Sequence, residues 1–178
     1  MATLRPRARI VRTIGDQLIS GPEAALIELI KNAFDADSPD VHIKLIPRSS
    51  NLPIGAILLS DKGHGMSLVD IETRWLEPAT DEKAQRRFSP KGRRMLGAKG
   101  IGRFAASRLG SKTILKSVVS SIEGRFEAVL VQIDWDAFSS GLYLDEVDIP
   151  IQSQRSTSAT ESGVCLCITD LRDEWTRK

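Results

Sequence analysis

Three groups of residues have the types and the spacing to do chemistry. Glu28, Asn32 and Asp35 recur at intervals of four and then three. On a helix this brings them within roughly 60° of one another, as a narrow polar stripe. Leu26, Ile27, Ile30, Ala33 and Phe34 fall on the far side. A carboxylate one turn from an amide and two turns from a second carboxylate can position a water and a hard cation. The same stripe also suits an amphipathic helix turned to solvent. Asn is a mediocre helix former, however, and a solvated stripe more often carries Glu and Lys four residues apart.

The second group is Asp61-Lys62-Gly63-His64-Gly65-Met66, directly after an apolar run. Its alternate glycines allow a tight turn and the close approach of a ligand to the backbone. The Asp can accept from an exocyclic amine while a peptide group donates to a ring nitrogen. A plain hairpin turn is the competing use of such a loop. The third group is Gly97-Ala98-Lys99-Gly100-Ile101-Gly102-Arg103-Phe104-Ala105, which opens a helix. Glycine-rich loops at helix N-termini point free N–H groups and the positive end of the dipole at anions, and Lys99 adds a mobile cation. Between 80 and 103, eight basic residues (Lys83, Arg86, Arg87, Lys91, Arg93, Arg94, Lys99, Arg103) stand against Asp81 and Glu82. Such a surplus marks a phosphate site or a nucleic-acid patch. Only Phe88 and Phe104 interleave with it, too few for a platform that stacks single strands.

These groups need elements to hold them. Ile10, Val11, Ile14 and Leu18 recur at helical spacing, so a first helix runs through that stretch. Ser20-Gly21-Pro22 breaks it and starts a second helix, which continues to about Asp37 before Ser38-Pro39 stops it. Strands are predicted over Val41–Ile46 and Ile54–Ser60. Ser67 caps a short helix to Trp75. From Glu77 to Leu96 no period is sustained, and a long mobile loop is expected. Ile101–Leu109 reads as helix, and strands follow near Thr113–Val119 and Arg125–Ile133. Gln152–Ser162 is polar and expected to be flexible, and Val164–Ile168 forms a last strand. Without strict strand–helix alternation, a doubly wound parallel sheet is excluded. The fold class is α+β: a two-layer sandwich with a mixed, mostly antiparallel sheet and helices on one face.

Composition narrows the class further. The 178 residues suit a single domain spanning 1–178; 41% are hydrophobic and 27% charged, too apolar for a disordered tail. The net charge of +2 gives no global case for nucleic-acid binding. No apolar run approaches a membrane span or a secretory signal, which points to the cytoplasm. Cys165 and Cys167 cannot make a disulfide framework and are expected to be small buried apolar groups. Two motifs mislead. Gly100-Ile101-Gly102-Arg103-Phe104-Ala105 matches a dinucleotide fingerprint but follows a basic loop instead of a strand. Gly110-Ser111-Lys112-Thr113 ends like a phosphate-binding loop, but Ala106 occupies the position of its first glycine.

In this order, the three groups resemble the GHKL superfamily of ATPases: type II topoisomerase ATPase subunits, heat-shock ninety chaperones, mismatch-repair MutL, MORC proteins and sensor histidine kinases. The first group matches E-x-x-x-N-A-x-D-A at Glu28–Ala36, the second D-x-G-x-G at Asp61–Gly65, and the third the Gly97–Ala105 stretch. A fourth element, a Gly opening a strand that ends in Asp-Leu, is matched by Gly163–Leu171. The wording looks most like bacterial MORC- or heat-shock-type ATPases.

The resemblance implies a Bergerat ATP-binding fold that binds ATP with Mg²⁺ and hydrolyses it slowly. Glu28 would be the general base, Asn32 the Mg²⁺ ligand and Asp35 a support by hydrogen bonds. Asp61 would read adenine, with Gly63, Gly65 and Met66 lining the base. Gly97, Ala98, Lys99, Gly100, Ile101, Gly102, Arg103, Phe104 and Ala105 would wrap the phosphates, and residues 77–96 would form a lid. Lid closure would couple nucleotide state to a homodimer or another partner, with nucleic acid a possible but unsupported one. The alternatives are a nucleotide-gated binding module with vestigial hydrolysis, or a histidine-kinase-like catalytic domain. The kinase branch typically has Lys at the position of Asp35, lacks a base at that of Glu28, and needs a phospho-accepting histidine; only His42 and His64 are present. Val164 stands where hydrolases of this group usually place Thr beside the adenine. The family's second, transducer-like domain would follow Lys178, so the chain is expected to be the N-terminal part of a larger protein.

Overall fold

The computed structural model describes residues 3–49, 53–77, 87–97, 102–120, 125–156 and 159–175. Helix α1 spans Ile10–Leu18 and α2 spans Pro22–Asp35. Pro22 at the first helical position and Glu23 in the first turn suit the N-terminus of α2. Strands β1 (Val41–Pro47) and β2 (Ile54–Asp61) form a hairpin. Ser67 then caps the short helix α3 (Leu68–Asp70) through a capping box with Asp70. The chain widens into a single π turn over Ile71–Trp75, closed by the Leu76 N–H on the Ile71 carbonyl at 2.8 Å. After a 3₁₀ turn at Gly102–Phe104 come α4 (Ala105–Leu109), β3 (Gly110–Ser120), β4 (Phe126–Asp134), β5 (Ile151–Ser156) and β6 (Gly163–Leu171).

The strand order is β1-β2-β6-β3-β4-β5, and every pairing is antiparallel. The last strand therefore lies at the centre, between β2 and β3. Alternation puts one face of each strand inward. Register aligns those inward residues across the sheet as two rows: Leu59, Leu166, Leu115 and Val131, and beside them Ile57, Ile168, Thr113 and Ile133. All eight are buried. Helix α4 lies against β3 and touches both α1 and α2, which makes the second layer. Burying each large aliphatic side chain of these rows contributes roughly 1.5–3 kcal/mol. The architecture is the expected α+β sandwich, with helices on one face.

Three local expectations are corrected. Ile151–Ser156 lies within or against the stretch expected to be flexible, yet it pairs with β4 over six residues. As an edge strand exposed along most of its length, it has no apolar face to announce it. Residues 87–95, read as part of a mobile loop, form a tight hairpin with Phe88 bridged to Arg94 and Gly92 at a φ of +81°. Residues 78–86 of that loop lie outside the described residues. Cys165 and Cys167 are half-buried free thiols on the face of the sheet away from the helices. There they pair with Ser60 and Leu58, not with the core rows.

Inside the core, the Trp135 indole donates to the Thr113 hydroxyl at 2.9 Å, and both residues are buried. Thr113→Val would leave that N–H without a partner. A loss of about 1–3 kcal/mol is expected, read as a lower urea midpoint at unchanged slope.

Candidate functional site

Helix α2 turns Ala25, Leu29 and Ala33 inward and packs against α4 and the 3₁₀ turn, and this packing sets where its polar stripe points. A cavity of about 360 Å³ opens between α2, the turn after β2, the π turn and the centre of the sheet. Its walls are mainly apolar, from Leu29, Leu59, Leu115, Leu166 and Met66. Asn32, Asp35 and Asp61 bring polar atoms into it. An apolar cleft with a few convergent polar groups is the usual form of a small-molecule site.

The three stripe residues have different surroundings. Asn32 lines the cavity beside Gly102, where a Cβ would stand only 3.0 Å from its side-chain oxygen, so residue 102 can carry no side chain without displacing the amide. Asp35 is buried, and its carboxylate accepts from the Leu96 N–H at 2.8 Å and the Gly97 N–H at 3.0 Å. It thus holds the entry to the glycine-rich stretch. Glu28 is half-buried, bonded to Lys31 Nζ at 2.7 Å, and is not among the residues lining the cavity.

Asp61 closes β2 and reaches the floor. One of its oxygens, Oδ1, accepts from the Gly63 N–H at 2.8 Å and, at 3.4 Å, from the Val164 N–H of β6. No donor among the described residues reaches Oδ2. Burial pushes the Asp61 carboxyl above its usual range, against the two N–H groups and His64, which pull it down. The turn after it is possible only with glycine. A Cβ on Gly63 would sit 2.7 Å from Ala36. At Gly65 φ is +69°, and a Cβ would run into the Val118 carbonyl. Met66 donates its N–H to Ser117 Oγ at 2.6 Å, which turns its side chain into the cavity wall. Gly163, with φ at +152°, passes so close to the Asp61 carbonyl that no side chain would fit there either.

The glycine-rich stretch divides. Gly97 and Gly102 are in place as above; Ala98, Lys99, Gly100 and Ile101, and the side chain of Arg103, lie outside the described residues. Phe104 and Ala105, expected at the phosphates, have their side chains buried in the core. Phe104 packs edge-on against Trp135 at 6.4 Å. Phe104 ends the 3₁₀ turn and Ala105 opens α4, both with side chains turned inward. Among the basic residues, Arg87, Lys91 and Arg94 are exposed and do not line the cavity.

Sequence reasoning missed several lining residues: His64, Asp70, Arg74, Trp75, Pro90 and Met95. Arg74 pairs with Asp70 at 2.8 Å, and that i, i+4 spacing was a visible signal. Burial raises the Asp70 carboxyl, but the Ser67 hydroxyl and N–H and the Arg74 charge outweigh it and hold the group below its usual range. Pro90 and Met95 had no signal, because the hairpin carrying them had no periodicity.

The sequence pattern of a family described as "Histidine kinase-, DNA gyrase B-, and HSP90-like ATPase" matches residues 19–162, which includes all three groups. This chain is a member of that ATPase family. Membership makes it a GHKL-type ATP-binding domain, with ATPase chemistry as the family's general activity. It also disposes of the dinucleotide and phosphate-loop matches: Gly110–Thr113 opens β3, and the sheet is antiparallel. The chain is also 33% identical, over 79 residues, to a putative type II restriction enzyme HgiDII of Herpetosiphon aurantiacus. The match covers 44% of this chain and 12% of that protein. No helix among the described residues is long and apolar enough to cross a membrane.

The raised Asp61 carboxyl has a consequence for stability. A folded-state value above the unfolded one makes ionisation cost folding free energy, so this cost is absent in acid and appears as pH rises through the raised value. Asp61→Asn should therefore melt no lower than the wild type at pH 7, and its advantage should vanish in acid. Thermal melts of both proteins across pH 3–8 check this.

Proposed function

We propose that this domain binds ATP with Mg²⁺ and hydrolyses it slowly, with the adenine on the floor of the cavity and the phosphates toward Asn32 and Gly102. The observation that carries this reading is Asp61: a carboxylate lining a mainly apolar cavity, with no donor among the described residues at its Oδ2. An exocyclic amine is the partner that such an acceptor lacks, and the neighbouring apolar walls suit a flat base. Val164 offers the base no hydroxyl, so Asp61 carries more of the recognition here than in a site with Thr.

The residues present fit a divalent cation of the magnesium type. Asn32 supplies a neutral oxygen at the position where Gly102 keeps the space clear, and magnesium is commonly held by one or two protein oxygens together with substrate phosphates. Bound there, it would neutralise phosphate charge. Glu28, one turn before Asn32, would orient the attacking water once its carboxylate leaves Lys31. The positioning does most of the work, since the reaction needs little covalent chemistry from the protein. Lid closure over bound ATP, coupled to a nucleotide-dependent homodimer, is the finer part of this reading. Residues 87–97 would enter it as a standing wall. The free thiols Cys165 and Cys167 support a cytoplasmic location.

A second reading is favoured by two observations. Glu28 is tied to Lys31 outside the cavity lining, and Arg87, Lys91 and Arg94 face solvent. Both suit a nucleotide-gated binding module whose hydrolysis is vestigial and whose basic surface meets an anionic partner. Similarity to a putative restriction enzyme supports nucleic acid as that partner.

Calorimetric titration with Mg²⁺ and ATP tests the shared part: the wild type should bind and Asp61→Asn should not, because the new amide would present a donor to the amine. Phosphate release separates the two readings. Turnover well below the roughly 10 per second of a typical enzyme, abolished in Glu28→Ala while ATP binding survives, supports hydrolysis. Equal release by both proteins supports the module.

A further inference from the structure

Asp37 is an acidic residue that the three motifs leave without a task. It follows α2 by two residues, is 3% exposed, and holds a φ of +61°, which is unusual for a residue other than glycine. Its carboxylate serves no group of α2. Oδ1 accepts from the Ser89 hydroxyl at 2.5 Å and Oδ2 from the Lys91 N–H at 3.0 Å. Ser89 Oγ accepts in turn from the Arg93 N–H at 2.9 Å. The Arg93 guanidinium lies 3.9 Å from Oδ1, donates to the Ser38 carbonyl at 2.7 Å and covers the Phe34 ring at 5.0 Å. These bonds close the 87–95 hairpin on itself and fasten it to the end of α2.

Asp37 is not among the residues lining the cavity, but two residues of the hairpin it holds, Pro90 and Met95, are. Asp35 continues the attachment through Leu96 and Gly97. We propose that Asp37 is a positioning residue for the nucleotide: by clamping Ser89 and Lys91 it makes the Pro90–Met95 wall stand before ATP arrives. The proposal rests on the ATP reading above. Its physical basis is that a site occupied only part of the time in its binding form loses affinity in proportion to that fraction. With the clamp, no ordering of the hairpin is left for the ligand to drive.

Glycine separates the clamp from the backbone. Asp37→Gly keeps the left-handed turn without strain and removes only the carboxylate. Asn also tolerates that conformation and keeps one acceptor. Titration with Mg²⁺ and ATP should give a Kd about tenfold weaker for Asp37→Gly, an intermediate value for Asp37→Asn, and a weakened value for Ser89→Ala. The double variant Asp37→Gly/Ser89→Ala should lose less than the sum of the two single losses, because both remove the Ser89–Asp37 bond. Val129→Ala, in the core away from the cavity, should lower the melting temperature without moving the Kd. An unchanged Kd in Asp37→Gly or in Ser89→Ala, whatever happens to the melting temperature, overturns the positioning role; so does strict additivity of the two. Ser89→Ala decides alone if Asp37→Gly does not fold. A wild type that binds no ATP fails the ATP reading itself, and the positioning role falls with it.

Discussion

A carboxylate taken out of water must be met by donors, and the end of α2 brings two: Asp35, its last residue, and Asp37, two residues beyond. Asp35 accepts from Leu96 and Gly97, and Asp37 from Ser89 and Lys91. Both draw on the backbone of a segment some fifty to sixty residues further along the chain: Lys91, Leu96 and Gly97. That requirement joins the helix bearing Glu28 and Asn32 to the segment that leads into the glycine-rich stretch. Asn32 and Gly102 then meet at one place, closely enough that a Cβ would press on the amide. The buried face of α2 fixes the helix against α4 and the 3₁₀ turn. The charges at its end fix everything that arrives afterwards.

The floor of the cavity follows from a different constraint, backbone against backbone. The central position of β6 brings Gly163 against the Asp61 carbonyl, while Gly63 meets Ala36 and Gly65 meets Val118. Each approach lies inside the distance that a side chain would need. The glycines therefore do more than turn the chain. They let helix α2, strand β2, strand β3 and strand β6 converge on one carboxylate, with Val164 and Gly63 both donating to its Oδ1. Such convergence is available to a sheet in which the last strand inserts at the centre, and unavailable to a simple meander.

What was legible in the sequence follows from these two constraints. Helices α1 and α2, strands β1 to β4 and the Ser67 cap carry their periodicity or capping chemistry locally, so their types and most of their ends could be read. So could the three motifs, because each is contiguous. Strand β5 was invisible because its residues face solvent along an edge, where no apolar alternation is needed. The hairpin at 87–95 was invisible because its order comes from Asp37, fifty residues away, and the burial of Phe104 and Ala105 was invisible because a motif does not say where its helix turns inward. The insertion of β6 between β2 and β3 is a property of pairing, and a linear reading has no term for it.

Asp35, Asp37 and Asp61 are the same residue type within one motif region or close to it, and their surroundings separate them. Asp35 and Asp37 have both oxygens engaged by the protein, and at Asp37 the donors win over burial and hold the carboxyl below its usual range. At Asp61 burial wins over the Gly63 and Val164 N–H groups and His64, and among the described residues donors reach one oxygen only. A folded chain gains nothing from a half-answered buried carboxylate, so its retention is a cost to the ligand-free state that a bound donor would relieve. The two filled carboxylates read as structure, and the half-filled one is where we propose that the ligand binds.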